Sequence, residues 1–107
     1  MELEQQQELQ QLISIARKHQ IAYLAVFGSY ARGNVHPNSD IDLYARFGRS
    51  VGLFEMLRIK HEMEDAVGRS VDLVAEEIVE PHAFMAAGLS QDLIVLHDVR
   101  EAHVPTQ

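Results

Sequence analysis

The sequence predicts one α/β or α+β domain, in which a small sheet packs against helices. Two observations support this fold class: apolar residues recur at helical spacing in two segments, and strand-like runs separate those segments. The chain has 107 residues and 47% apolar content, which suits one compact domain. We predict that the domain spans residues 1–98 and that residues 99–107 form a C-terminal tail.

Two segments, residues 4–18 and 53–67, have the periodicity of amphipathic helices. Their defining apolar positions are Leu9, Leu12, Ile13 and Ala16 in the first, and Leu53, Met56, Ile59, Met63 and Val67 in the second. A short helical turn is predicted over residues 30–32. A third helix is predicted over residues 81–88, because it opens on a proline and closes at a glycine.

Four segments are predicted as strands. Residues 21–27 form a nearly continuous apolar run, typical of a central strand that is covered on both sides. Residues 39–47 and 71–79 alternate between apolar and other residues, and residues 93–96 are a final short candidate. In the second strand the two faces are Ile41, Leu43 and Ala45 on one side, and Asp40, Asp42 and Tyr44 on the other.

Composition excludes several function classes. The formal charge is −7, from 16 acidic and 9 basic residues, which argues against general nucleic-acid binding because such a surface repels phosphate backbones. The chain has no cysteine, so disulfides and thiolate metal sites are excluded and a cytoplasmic location is expected. The sequence shows neither a signal peptide nor a run long enough to cross a membrane, so no membrane partner is expected.

Gly28 and Ser29 stand where the first strand turns into a helix. Glycine lets the backbone approach a ligand closely, and the N–H groups at a helix start attract phosphate. By itself the pair fits an ordinary turn with a serine cap better than a ligand site. Arg32 follows shortly after, and it would reach a phosphate or clamp the turn to the next loop.

Three aspartates form the second candidate feature. Asp40 and Asp42 are two residues apart on one strand and therefore share a face, roughly 6.5–7 Å apart. Asp72 lies on the polar side of its own strand, and the three converge if the two strands are neighbours. Ionised acids about 6 Å apart repel by roughly 3 kcal/mol per pair at an effective dielectric near 20, so a bound cation explains the trio better than solvation. Such oxygen ligands favour magnesium or manganese.

With these residues in view, the sequence resembles a known family. The segment GSYARG at residues 28–33, followed after five residues by SDIDL at 39–43, resembles the signature of the nucleotidyltransferase superfamily that includes DNA polymerase beta. More narrowly, the chain is similar to the small bacterial minimal nucleotidyltransferases, or MNT proteins. The likeness extends over the leading helix, the turn, the double-aspartate strand and Asp72 on a later strand.

The resemblance implies a nucleotidyltransferase fold, a small mixed sheet with helices packed on one face. It implies seven site residues: the catalytic and metal-binding Asp40, Asp42 and Asp72, and the nucleotide-binding Gly28, Ser29, Arg32 and Ser39. The implied substrate is ATP and the implied cofactor is Mg²⁺, with two ions. The reaction would be an in-line attack by a hydroxyl on the α-phosphate, with pyrophosphate leaving.

The resemblance also implies a partner. MNT proteins of this size are commonly paired with a HEPN-domain ribonuclease toxin, and the implied role is that of an antitoxin that transfers AMP to a toxin tyrosine. Two alternatives stay open: a non-catalytic antitoxin that masks its toxin by binding, and an adenylyltransferase acting on a small molecule. Since so short a chain supplies no acceptor pocket of its own, we expect a homodimer or a hetero-oligomer with the toxin.

Overall fold

The computed structural model describes residues 3–33, 39–78 and 93–102, and these contain one four-stranded mixed sheet. The strands are β1 (Tyr23–Phe27), β2 (Ile41–Arg46), β3 (Val71–Ala75) and β4 (Ile94–Asp98). Their order across the sheet is β3-β2-β1-β4. Strand β1 is antiparallel to both of its neighbours, whereas β2 and β3 run parallel. The predicted small mixed sheet is therefore confirmed.

Four helices accompany the sheet in the described residues. They are α1 (Leu3–Lys18), α2 (Gly28–Ala31), α3 (Leu53–Val67) and α4 (Val99–Ala102). Helix α3 ends where its pattern predicts, because Gly68 takes the left-handed conformation (φ 73°) and donates its N–H to the Glu64 carbonyl at 2.8 Å. None of the helices in these ranges is long and apolar enough to cross a membrane.

The core lies between one face of the sheet and the helices α1 and α3. It contains Leu9, Leu12, Ile15 and Ala16 from α1, Ile59 and Met63 from α3, and strand residues that include Leu24, Val26, Leu43 and Leu73. Ile15 is buried although the helical pattern omitted it, and Ile13 is only half-buried. The buried residues of each helix thus pack against the sheet, and this packing holds the strands that carry the aspartates in place.

The opposite side of β2 and β3 carries four polar residues and Val74. Because strand side chains alternate, Asp42, Tyr44 and Arg46 of β2 point away from the core, as do Asp72 and Val74 of β3. We call these five residues the polar face. The predicted alternation of both strands is confirmed, and it places two of the candidate aspartates on the same side of the sheet.

Several predicted boundaries are wrong. Strand β3 ends at Ala75 because residues 76–78 form a turn, in which the Ile78 N–H donates to the Ala75 carbonyl at 3.0 Å. The carboxylate of Glu77 folds back to accept the N–H of Gly48 at 2.9 Å, which holds this turn against the end of β2.

Other boundaries shift by one or two residues. Strand β1 begins two residues later than predicted, and β4 occupies Ile94–Asp98 instead of 93–96. The helical turn begins at Gly28 itself, and β2 begins at Ile41, so Ser39 and Asp40 precede the strand. Residues 99–102, for which no helix is predicted, form the short helix α4. The helix predicted over residues 81–88, together with residues 79 and 103–107, lies outside the described residues.

Truncating the centre of the α1 contact tests this packing. Leu12 is 0% exposed, so we expect Leu12→Ala to lower the free energy of unfolding by about 2–5 kcal/mol. Leu3→Ala is the matched control because Leu3 is 68% exposed, and we expect it to change stability by less than about 0.5 kcal/mol. Chemical denaturation measures both, and equal losses would contradict the placement of α1.

Candidate active site

Gly28 lies directly against Asp42. Gly28 follows the last residue of β1, which pairs with Asp42 of β2, and it has a left-handed backbone conformation (φ 73°). A Cβ atom at this position would stand 2.5 Å from Oδ2 of Asp42. Glycine is therefore required twice, for the backbone conformation and for the space that the Asp42 carboxylate occupies.

Asp42 and Asp72 stand opposite one another. They are register partners on the parallel strands β2 and β3, whose backbones are roughly 4.8 Å apart. Burial raises the pKa of the Asp42 carboxyl, and the charges of Asp72 and then Asp40 raise it further, whereas Arg32 lowers it. The three aspartates and Arg32 thus interact electrostatically around Asp42.

Ser39 and Asp40 lie just ahead of β2, beside the start of β3. The N–H of Ile41 donates to the Ser70 carbonyl at 2.9 Å, which fixes the entry to β2 against the residue that precedes β3. Asp40 is exposed and Ser39 is half-buried. Because Asp40 is close enough to influence Asp42, the structure brings it to the same end of the polar face.

Ser29 and Arg32 occupy the start and the end of α2. Ser29 is half-buried beside Gly28, and Arg32 is an exposed residue at the C-terminal cap of the helix. The backbone N–H of Arg32 donates to the Gly28 carbonyl at 3.1 Å, so the whole turn is short and closed. A contact with phosphate and a clamping role both stay compatible with this position of Arg32.

The three aspartate side chains are not gathered around one point. Within the ranges that the structure describes, no three acidic or histidine side chains are placed so that they could hold a metal ion. Asp42 and Asp72 are register partners, and their carboxylates supply the oxygen donors that Mg²⁺ prefers. Gly28 leaves room for the Asp42 carboxylate.

Three residues that support this site, Glu8, Tyr30 and Arg69, could not be identified from the sequence pattern. Tyr30 donates its hydroxyl to Oε1 of Glu8 at 2.7 Å, and Nη2 of Arg69 lies 3.1 Å from Oε2 of Glu8. No sequence signal connects these residues, because Glu8 and Arg69 are separated by 61 positions. Only Tyr30 lies inside the 28–33 segment, where its spacing carries no sign of this contact.

Comparison with known proteins identifies the class to which this fold belongs. The family model described as "Polymerase beta, Nucleotidyltransferase" matches residues 10–100. The chain therefore belongs to the polymerase beta nucleotidyltransferase family and is an enzyme of that class. A protein of Methanocaldococcus jannaschii that is named as a protein adenylyltransferase is 36% identical over 70 residues, which are 65% of this chain and 75% of that protein.

Two solved structures share the fold. A chain of a toxin–antitoxin complex with AMP-PNP has a TM-score of 0.75 at 20% identity, covering 88% of this chain and 76% of that chain. A second structure is the complex of the tri-AMPylated Shewanella oneidensis HEPN toxin with MNT antitoxin. One of its chains has a TM-score of 0.71 at 17% identity, covering 92% of this chain and 76% of that chain. These likenesses establish the nucleotidyltransferase fold of the described chain.

Adding a methyl group at Gly28 tests its contact with Asp42. Gly28→Ala must displace the Asp42 carboxylate, so we expect the affinity of the pure chain for Mn²⁺ to fall about 10-fold or more. Gly68→Ala is the matched control, since Gly68 has the same φ of 73° and nothing within 4 Å of the added atom. Both variants should lose roughly 1–2 kcal/mol of stability from backbone strain. Equal Mn²⁺ affinities would contradict the close approach.

Neutralising Asp42 tests the crowding of negative charge. The pKa of Asp42 is higher in the folded chain than in the unfolded chain, where an aspartate has a pKa of about 3.9. Protonation of Asp42 therefore stabilises the fold below that unfolded value, and this stabilisation is lost as the pH rises through the folded pKa. At pH 7 in EDTA, Asp42→Asn should therefore melt at a higher temperature than the unaltered chain, and the difference should shrink towards pH 4.

The control for this measurement is Asp65→Asn, because Asp65 is exposed on α3 away from the polar face. We expect it to change stability by less than about 0.5 kcal/mol. A lower melting temperature for Asp42→Asn at pH 7 would show that Asp42 is stabilised as an anion by contacts other than a cation.

Proposed function

We propose that this chain is a Mg²⁺-dependent protein adenylyltransferase, which transfers AMP from ATP to a tyrosine hydroxyl of a HEPN-domain ribonuclease toxin and so acts as its antitoxin. One observation carries the proposal: Asp42 and Asp72 are register partners on adjacent parallel strands, next to the tight turn at Gly28. Oxygen donors of this kind suit a cation that also binds the phosphates of a nucleotide.

The comparisons support the substrate class. The archaeal relative is named for AMP transfer to proteins, and one structural neighbour was solved with AMP-PNP. In the other neighbour the HEPN toxin itself is AMPylated, and it is bound to an MNT antitoxin. Because this chain has the same fold, transfer of AMP from ATP to a HEPN protein is the activity that its site supports best.

Asp40, Asp42 and Asp72 would hold the metal, with two ions expected. Bound Mg²⁺ supplies charge stabilisation for the attacking oxygen and for the leaving oxygen. The charges of Asp72 and Asp40 already act on Asp42, so a cation bound among the three would replace repulsion by attraction.

The chain's own residues then bind and orient the triphosphate. Gly28 has no side chain to block its backbone N–H, Ser29 offers a hydroxyl at the same turn, and Arg32 stands at the other end of the short helix α2. Ser39 contributes from the loop that leads into β2. The acceptor oxygen forms a bond to the α-phosphorus and pyrophosphate leaves, while Asp72 assists removal of the hydroxyl proton.

The proposed acceptor approaches from the polar face. The aspartates lie on the side of the sheet opposite α1 and α3, so a toxin, or a second copy of the chain, would contact this side. Direct binding of nucleic acid forms no part of the proposal, because the chain carries a formal charge of −7. Since ATP and the RNA targets of a ribonuclease are cytoplasmic, the proposed location is the cytoplasm.

Incubation with labelled ATP, Mg²⁺ and the product of the adjacent gene tests this function. Intact-protein mass spectrometry should show AMP added to that partner by the unaltered chain and by the control Asp65→Asn. With Asp42→Asn, we expect the transfer rate to fall by more than the roughly 100-fold that loss of an outer-shell contact costs, because a metal ligand is removed.

Two results would contradict the proposal. Transfer by Asp42→Asn at the rate of the unaltered chain would remove the aspartates from the chemistry. Full neutralisation of the toxin's ribonuclease activity by Asp42→Asn, without any AMP on the toxin, would instead establish the masking alternative.

A further inference from the structure

A cluster of three side chains connects the segments that carry the site. Arg69 donates through Nε to Oε2 of Glu8 at 3.2 Å, and through Nη1 to the backbone carbonyl of Ser39 at 3.2 Å. Tyr30 donates its hydroxyl to the other oxygen of Glu8 at 2.7 Å. The Arg69 guanidinium also lies over the Tyr30 ring, 5.9 Å from its centre. We call Glu8, Tyr30 and Arg69 the triad.

Two members of the triad, Tyr30 and Arg69, are attached to different parts of the site. Tyr30 follows Ser29 in α2, and the Ser39 carbonyl belongs to the peptide that leads into Asp40. Arg69 lies between α3 and β3, three residues before Asp72. Glu8 in α1 joins the other two, because each of its carboxylate oxygens accepts from one of them.

The triad is largely shielded from solvent. The side chains of Glu8 and Arg69 are each 15% exposed, and Tyr30 is fully buried. Hydrogen bonds that involve charged groups are shorter and stronger than neutral ones, particularly when water is excluded. Burial and the hydrogen bond to Glu8 raise the pKa of Tyr30, so its hydroxyl remains a donor at all physiological pH values.

We propose that Arg69 is a positioning residue, which acts through the Ser39 carbonyl and through Glu8 and Tyr30 to hold Asp40 and the Gly28–Ser29 turn at fixed places relative to Asp72. This inference rests on the proposed function, since it concerns the same metal and nucleotide site. Its physical basis is that a single guanidinium bonds to two segments that the sequence separates by about 30 residues, Glu8 and Ser39.

A positioning role and a purely structural role of Arg69 predict different results for its variants. An ion pair that only held α1 to the sheet would affect stability, and it would leave the metal and nucleotide affinities of the folded chain unchanged. A positioning role gives Arg69 and Tyr30 different readouts. Arg69 contacts the peptide next to Asp40 and should govern cation affinity, whereas Tyr30 adjoins the Gly28–Ser29 turn and should govern the KM for ATP.

The test compares Arg69→Gln with the matched control Arg49→Gln. Arg49 also pairs with a glutamate, Glu55, at 2.8 Å, but both residues are about 40% exposed and lie apart from the site. Mn²⁺ binding to each pure chain is measured by the electron paramagnetic resonance signal of free Mn²⁺, well below the melting temperature of the variant. We expect Arg69→Gln to weaken binding about 10- to 100-fold and Arg49→Gln to leave it unchanged.

A second variant separates the two ends of the triad. Tyr30→Phe keeps the ring and removes only the hydroxyl donor to Glu8. We expect it to raise the KM for ATP several-fold, with a smaller change in Mn²⁺ affinity than Arg69→Gln produces. If Arg69→Gln does not fold, Arg69→Lys takes its place, because a lysine keeps the charge but cannot bond to Glu8 and Ser39 in the same fork.

The outcomes distinguish this inference from the proposed function. If the unaltered chain transfers AMP and Arg69→Gln binds Mn²⁺ as tightly as the unaltered chain, the positioning role is overturned and the function stands. If Mn²⁺ binding depends on Arg69 but no AMP reaches any protein, the positioning role stands and the function is overturned. Absence of Mn²⁺ binding by the unaltered chain would overturn the positioning role.

Discussion

The structure depends on one constraint: two carboxylates must stand opposite each other on adjacent parallel strands. Asp42 and Asp72 occupy paired positions, and Asp40 adds a further negative charge nearby. Arg32 offsets part of this charge, but burial and the two aspartates together still raise the pKa of Asp42. Such repulsion costs stability, and under the proposed function a bound cation would offset it.

The surrounding fold can bear this cost because its stabilising contacts lie elsewhere. Helices α1 and α3 bury the opposite face of the sheet, so the direction of β2 and β3 is set by apolar packing and not by the aspartates. Near the site the connecting contacts are polar, because Glu8 and Arg69 link α1 to the entry of β2 and to the start of β3. Apolar packing therefore places the strands, and the partly buried ion pair of Glu8 and Arg69 connects the segments that precede them.

Much of the site could be predicted from the sequence, because its spacing is local. Asp40 and Asp42 are two residues apart, and the alternation of residues 71–75 places Asp72 on the matching side. The end of β3 could not be predicted, since it depends on the Glu77 carboxylate reaching backbone N–H groups 29 and 30 residues away. Likewise, a strand pattern contains no sign that Asp42 limits residue 28 to glycine, because that contact forms only across two paired strands.

Anomalous diffraction from crystals grown with Mn²⁺ and AMP-PNP tests the central claim most directly. The account expects a Mn²⁺ peak coordinated by carboxylate oxygens of Asp42 and Asp72, with Asp40 drawn towards it and the triphosphate beside the turn at Gly28. A peak at any other place, or an Asp72 side chain directed away from Asp42 in the bound state, would contradict it.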